Sequence, residues 1–162
     1  MVKSILLTGH TGFLGSVIYE QLKKSFHILT AGRDVSCDYN LDFSKWDGVL
    51  ELKHSVDAIV HVAGLAHNKA KSQEELIAVN TTSVKHLLTL AVKNKIGTFT
   101  FISSTAVYGQ TYGVNIPEKS SLTGKSNFAM SKREAEKVIE SFNHGSNLIL
   151  RLPLVLGPNP PG

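Results

Sequence analysis

Ser4-Ile5-Leu6-Leu7-Thr8-Gly9-His10-Thr11-Gly12-Phe13-Leu14-Gly15 opens the chain and decides how the rest is read. Ser4 to Thr8 predicts a short buried strand, and glycines at 9, 12 and 15 follow it at once. Beyond them Leu14, Val17, Ile18 and Leu22 recur at helical spacing, which predicts a helix with one apolar face. The glycines suit three needs: a tight turn, close backbone approach to a ligand, and close helix–strand packing. A helix starting there directs free N–H groups and the positive end of its dipole at an anion. Strand, glycine triplet and amphipathic helix in this order point to the diphosphate loop of a dinucleotide site.

The alternation continues. His27 to Ala31 reads as a second strand ending at Gly32-Arg33-Asp34, a short third lies near Val35 to Tyr39, and Ala58 to Ala63 makes a fourth closed by Gly64. A helix from Glu74 to Asn80 leads into another whose apolar face carries Val84, Leu87, Leu88, Ala91 and Val92. Thr98 to Ser103 is a fifth strand and Asn147 to Leu150 a sixth. Between them Ser126 to Phe142 reads as a helix with Ala135, Val138, Ile139 and Phe142 inward. Short apolar strands alternating with helices predict an α/β fold, a doubly wound parallel sheet covered on both faces. Ligands of such sheets bind beyond the carboxyl ends of the strands.

At 162 residues the chain suits one domain and is short for two of ordinary size. Hydrophobic content of 42% and charged content of 19% describe a soluble globular protein. The net charge of +4 comes from scattered lysines, with no basic stripe interleaved with aromatics, so nucleic acid is not an expected partner. A modest positive surface does suit a nucleotide diphosphate. The single cysteine, Cys37, allows no internal disulfide and gives no metal cluster. No apolar run approaches the roughly 20 residues that span a bilayer. The first strand begins almost at the initiator methionine, leaving no signal peptide, so a cytoplasmic protein is expected. The closing run Gly157-Pro158-Asn159-Pro160-Pro161-Gly162 is rich in breakers and suggests a truncated chain.

Three places could carry chemistry. Ser103-Ser104-Thr105 stands at the carboxyl end of the fifth strand, although such hydroxyls also serve nearby backbone groups. Lys132 lies one helical turn after Phe128 on the same face. A lysine aimed at a dinucleotide can hold ribose hydroxyls and lower the pKa of an adjacent acid, and a solvent-facing lysine is the ordinary alternative. Arg33 follows the second strand, where an arginine can pair with the 2′-phosphate of NADP. Asp34 beside it keeps NAD open.

Thr8 to Gly15, His61-Val62-Ala63-Gly64, Asn80, Ser103-Ser104-Thr105-Ala106-Val107-Tyr108-Gly109, Ser131-Lys132 and Arg151-Leu152-Pro153 occur in the order of the extended short-chain dehydrogenase/reductases. More narrowly, the chain resembles their nucleotide-sugar epimerases and 4-keto-sugar reductases. The resemblance runs the whole length. It implies a Rossmann-type domain over residues 1–162 with NAD(P) across the glycine loop, and a carboxy-terminal substrate domain that is largely absent. It also implies that Gly9, Thr11, Gly12, Phe13, Leu14, Gly15, Ala63, Gly64, Asn80, Ser103 and Pro153 are cofactor contacts. Asn80 corresponds to a helix residue near the active site, Ser104 to the catalytic hydroxyl, and Lys132 to the lysine on the nicotinamide ribose. The acid beside the adenine is Asp42 or Asp38, with Asp42 preferred because the downstream Trp46 also fits the sugar-reductase pattern. Members often dimerise through the two helices represented here by about residues 83–93 and 126–142.

One position departs from the family pattern of tyrosine, three residues, lysine. The tyrosine position is Phe128. Phenylalanine keeps the ring and loses the transferable proton that moves to or from a sugar oxygen during hydride transfer. Three accounts stay open: an introduced Tyr→Phe change, a natural loss of this chemistry, or another donor, for which Tyr108 and Tyr112 are candidates. The first functional expectation is NAD(P)-dependent hydride transfer at a carbon of a nucleotide-diphosphate sugar, by 4-keto reduction or C4 epimerisation, impaired by Phe128. Arg33 tilts it toward NADP and reduction. A 4,6-dehydratase is disfavoured, since Thr105-Ala106 follow the hydroxyl where that subgroup carries Asp-Glu. The second expectation is a dinucleotide-binding sensor or scaffold without turnover.

Overall fold

The computed structural model describes residues 3–66, 72–110, 113 and 115–157. In chain order the elements are β1 (Ser4–Thr8), α1 (Phe13–Leu22), β2 (His27–Gly32), β3 (Tyr39–Asn40) and β4 (Ala58–His61). Then come α2 (Gln73–Ile77), a π turn (Ala78–Thr82), α3 (Ser83–Lys93), β5 (Thr98–Ser104), a 3-10 turn (Thr105–Tyr108), α4 (Asn127–Ser141) and β6 (Ser146–Leu152). The sheet order is β3-β2-β1-β4-β5-β6, and every neighbouring pair is parallel. This is the Rossmann-type doubly wound arrangement that the alternation of elements predicts.

Strand order reverses at the junction of β1 and β4, and that junction places the site. From β1 the chain moves outward to β2 and β3; from β4 it moves the other way, to β5 and β6. Right-handed crossovers therefore put α1 on one face and α3 on the other. The loops after β1 and β4 part at the switch point and leave a crevice between them.

The core lies on the α3–α4 face. Leu6, Leu29, Ile59, Phe99 and Phe101 from the strands meet Val84, Leu87, Leu88 and Ala91 of α3 and Ala135 and Ile139 of α4. The expectation that both faces are covered holds only in part. On the α1 face Ile5 and Leu7 are buried, but Leu148 and Leu150 of β6 are 49% and 37% exposed. They stand beside Thr100 and Ile102 on the same face, where no helix of the described residues lies over them.

Several boundaries differ from the sequence reading for local reasons. β3 is only Tyr39–Asn40, because Asp34 folds residues 34–37 into a turn, with Cys37 N–H donating to Asp34 O at 3.1 Å. β4 ends at His61 because the Ala63 N–H turns to the side chain of Thr8. The two helices expected after residue 74 form one continuous helical run, interrupted by the π turn. Ser72 caps its start, accepting the Glu75 N–H at 3.1 Å. Val17 and Val92, expected inward, are 56% and 44% exposed. In α1 the buried residue is Gly15, and Val17 lies about 200° around the helix from it. Val92 follows the buried Ala91 by about 100° in the last turn of α3.

Candidate dinucleotide cleft

Close backbone contact builds the glycine loop. Gly12 N–H donates to Gly9 O at 3.0 Å, closing the turn. Gly9 has φ +74°, and a Cβ there would lie 2.6 Å from the Ala63 nitrogen, so β1 and β4 meet through bare backbone. At Gly15 a Cβ would lie 1.9 Å from Gly9 O, which sets how closely α1 approaches the loop. Gly12 is the N-cap of α1 and no side chain caps it. The first-turn N–H groups are left as an anion site at the positive end of the helix dipole.

Two cavities that share the walls Phe13, Leu14, Val62, Gly64, Leu65 and Ala66 form the cleft. The first, about 680 Å3, runs from Gly9, Thr11, Gly12 and Gly15 to Gly32, Arg33, Asp34, Asp42 and Ser44. The second, about 660 Å3, is lined by Ser103, Ser104, Phe128, Lys132 and the segment Leu152–Leu156, which includes Pro153. Ala63 belongs to the first cavity and Gly64 to both.

The acids at the first end divide by their bonds. Asp38 receives Thr30 N–H at 2.7 Å and Thr30 Oγ–H at 2.8 Å, which ties it to β2 and away from the cavity wall. Asp42 does line the cavity. The Ser44 hydroxyl at 2.7 Å holds its carboxyl below the usual range, helped by the Ser44 N–H and the Arg33 charge. The hydroxyl and N–H of Ser36 lower Asp34 in the same way.

A buried chain of hydrogen bonds fixes the junction of β1 and β4. Ser83 Oγ donates its proton to Val79 O at 2.6 Å, so it accepts the His61 Nε2–H at 3.3 Å. His61 Nδ1 is then the acceptor for Thr8 Oγ–H at 2.7 Å, and Thr8 Oγ accepts the Ala63 N–H at 3.2 Å. The neutral ring is required at every link. Burial, with the Lys132 charge second, pushes the His61 pKa down to about 3 from 6.5. The stabilisation from keeping this ring neutral is complete above the unfolded value and is lost as pH falls from about 6.5 toward 3. At about pH 4.5 the loss amounts to roughly 2–3 kcal/mol. Urea unfolding of the parent and of His61→Gln at neutral and acid pH checks this: the variant loses less stability on acidification, and equal losses refute it.

The second cavity gathers the residues expected from the catalytic pattern. Ser126 caps α4 by accepting the Ala129 N–H at 3.1 Å, and the first two turns then present Phe128 and Lys132. Lys132 is buried. Its Nζ donates to Ile102 O at 2.8 Å and sits 4.5 Å from the Phe101 ring centre and 6.0 Å from that of Phe128. Burial lowers its pKa to about 8, and the charge of Glu136 opposes that shift. Ser104 Oγ accepts the Ala106 N–H at 3.2 Å, which leaves its own proton free to donate. The Ser103 hydroxyl instead donates to the buried carboxylate of Glu136.

Asn80 stands behind the cleft. Its Oδ1 accepts Leu65 N–H at 2.8 Å, and its amide donates to Leu65 O and Ser131 Oγ, both at 3.0 Å. It holds the 64–65 turn against α4 from within the π turn. The Tyr108 hydroxyl accepts from Arg151 Nη1 at 3.0 Å and points to Glu118 O at 3.4 Å; Tyr108 does not line the second cavity. Tyr112 lies outside the described residues. Sequence reasoning assigned no role to His61, Glu136 or Arg151. A charged residue at 136 between the inward Ala135 and Ile139 was the available signal.

Fold and cleft together define a Rossmann-type dinucleotide-binding domain. The chain belongs to the NAD dependent epimerase/dehydratase family, whose pattern it matches over residues 5–162. A UDP-glucose 4-epimerase of Vibrio cholerae is 32% identical over 176 residues, covering 98% of this chain and 53% of the relative. Among solved structures, a UDP-glucuronic acid 4-epimerase from Bacillus cereus in complex with NAD aligns with TM-score 0.75 at 22% identity, covering 96% of this chain and 58% of that one. A UDP-Glc/GlcNAc 4-epimerase from Campylobacter jejuni aligns with TM-score 0.76 at 23% identity, covering 92% and 53%. The chain thus spans about half the length of the proteins it matches. Among the described residues no helix is long and apolar enough to cross a membrane.

Proposed function

We propose that the cleft holds NAD(P) and that the protein moves hydride at a carbon of a nucleotide-diphosphate sugar, by 4-keto reduction or C4 epimerisation. The observation that carries this is the opening of Ser104 and Lys132 on a cavity continuous with the glycine loop. The bare backbone at Gly9, Gly12 and Gly15 suits close approach of a diphosphate, and a side chain would collide with the backbone of residues 62–63 at position 9 and with the loop itself at position 15. Arg33 and Asp42 suit the adenosine end, and Lys132 suits the nicotinamide ribose. A bound nicotinamide supplies the hydride acceptor or donor. Ser104 has a proton to offer a sugar oxygen, Lys132 offers positive charge, and Phe128 supplies packing without a proton. Proton transfer is therefore the weak step. Sugar recognition belongs to the whole protein and, in this reading, to a substrate domain beyond residue 162. A homodimer through α3 and α4 is part of the same reading, and sedimentation velocity decides it.

Arg33 favours NADP. Fluorescence titration with NADH and NADPH tests both cleft and preference. Arg33→Ser weakens NADPH binding about tenfold, as expected for loss of a charge-assisted contact, and leaves NADH nearly unchanged. Equal effects on the two remove the 2′-phosphate role, and failure of both cofactors to bind removes the reading. Phe128 favours a second reading, a cofactor-binding module without turnover.

A further inference from the structure

Glu136 is a fully buried carboxylate that hydride and proton transfer do not use. It lies on α4 four residues after Lys132, and the Ser103 hydroxyl of β5 donates to it. Arg151 of β6 closes on it through Nε, 3.2 and 3.1 Å from the two oxygens, and through Nη2 at 2.8 Å. The Nη1 of Arg151 donates to Glu118 O at 2.7 Å, so the pair is tied to the segment after β5 as well. Burying such a pair costs several kcal/mol in desolvation, and packing alone does not require it, since apolar replacements of similar volume are often as stable. The buried face of this helix mixes apolar Ala129, Ala135 and Ile139 with Ser131, Lys132 and Glu136.

Lys132 is the neighbour that gives the carboxylate a use. Residues four apart share a helix face, and these two reach adjacent residues of β5: Lys132 the carbonyl of Ile102, Glu136 the hydroxyl of Ser103. The groups around Lys132 can be taken element by element. From β4 comes His61, neutral by its bonds. From β5 comes a carbonyl, and from the π turn the neutral amide of Asn80. From β6, Arg151 joins this cluster through Glu136, with which it is paired. The second cavity has no carboxylate in its wall. From α2, which packs on α4, Glu75 lines the adjoining first cavity. Glu136 is the negative charge that acts on this buried ammonium from its own helix.

We propose that the Glu136–Arg151 pair is a positioning device for Lys132: Glu136 supplies the countercharge that keeps a buried ammonium in the cleft wall, and Arg151 limits how much of it Lys132 feels. The charge coupling stands on the packing of α4, β5 and β6; only its bearing on cofactor affinity rests on the functional reading above.

The two partners carry opposite charges, which separates this role from a structural one. Glu136→Gln removes the countercharge and leaves Arg151 unpaired, so Lys132 deprotonates at lower pH. Arg151→Met frees the carboxylate for Lys132, so deprotonation moves to higher pH. Each shift is expected at about one unit or more. The readout is the 13Cε resonance of Lys132 in lysine-labelled full chain, assigned by its loss in Lys132→Arg and followed over pH. Glu136→Asp keeps the charge and restores the parent midpoint even where it melts earlier. Arg151→Lys loosens the hold and moves the midpoint upward by less, which keeps the test open if Arg151→Met fails to fold. Unmoved midpoints, or shifts of the same sign in the Glu136 and Arg151 variants, overturn the proposal. NADH titration over the same pH range is a separate arm. Absence of binding by the parent sinks the cofactor reading and leaves the resonance result standing.

Discussion

Phe128→Tyr is expected to raise the rate of nucleotide-sugar oxidation or reduction by about 10²–10⁴, the usual contribution of a positioned general acid or base. Phe128 already lines the second cavity, and its ring centre lies 6.0 Å from Lys132 Nζ, so a phenol there extends an existing contact and requires no rearrangement. The neighbouring ammonium favours the phenolate and draws the pKa of the new group toward neutrality. Other donors are poorly placed for the task. The Tyr108 hydroxyl is engaged with Arg151 and Glu118 outside that cavity, and the Ser104 hydroxyl makes no hydrogen bond to a base among the described residues. The check, for the parent and the variant in the same full-length protein with a UDP-hexose, is the absorbance of reduced nicotinamide for net oxidation or reduction and analysis of the product sugar for epimerisation, which returns the cofactor unchanged. Tight cofactor binding with no turnover after restoring tyrosine would instead establish the binding-module reading. A large gain makes the parent an enzyme limited by its missing acid.

The second large effect concerns the glycine loop, where the three glycines should rank in a definite order. Gly15→Ala places a methyl group 1.9 Å from Gly9 O, inside the backbone it packs on. Relief requires α1 to move off the loop, at about 3 kcal/mol, which lowers Tm by roughly 6–12 °C for a domain of this size. Gly9→Ala combines a 2.6 Å approach to the Ala63 nitrogen with φ +74°, and it belongs in the same severe class. Gly12→Ala meets Gly9 O at 3.2 Å, a contact that a small shift can relieve. The expected result is that all three weaken NADH binding, while only the substitutions at 9 and 15 also lower Tm substantially. If Gly12→Ala proved the most destabilising, the packing account of the loop would be wrong.

Much of this was legible along the chain because it depends on short-range periodicity. Alternation of apolar strands and helices implied the parallel sheet, and the spacing of glycines 9, 12 and 15 implied the turn, the close approach and the helix start. Phe128 and Lys132 had to share a helix face because they lie four residues apart. Which of Asp38 and Asp42 faces the cavity was harder to read, since the two aspartates flank the short third strand. It turned on Thr30, whose amide and hydroxyl draw Asp38 into the β2–β3 edge and leave Asp42 in the cavity wall. The inward placement of Val17 and Val92 failed for a related reason: periodicity marks an apolar stripe but not where its margin meets solvent.

Local rules stop where partners come from distant parts of the chain. The amino-acid order specified a diphosphate loop, a lysine one turn beyond a phenylalanine, and the succession of elements that builds the sheet, all consequences of φ preferences and side-chain spacing within a few residues. Which groups each buried charge would meet depended on the packed sheet. Folding brings residues 103, 136 and 151 into one hydrogen-bonded cluster, and residues 8, 61 and 83 into another. Desolvation acts only once those neighbours close around a group. For that reason the lowered pKa of the lysine and the uncharged state of the histidine beside the glycine loop are properties of the assembled fold.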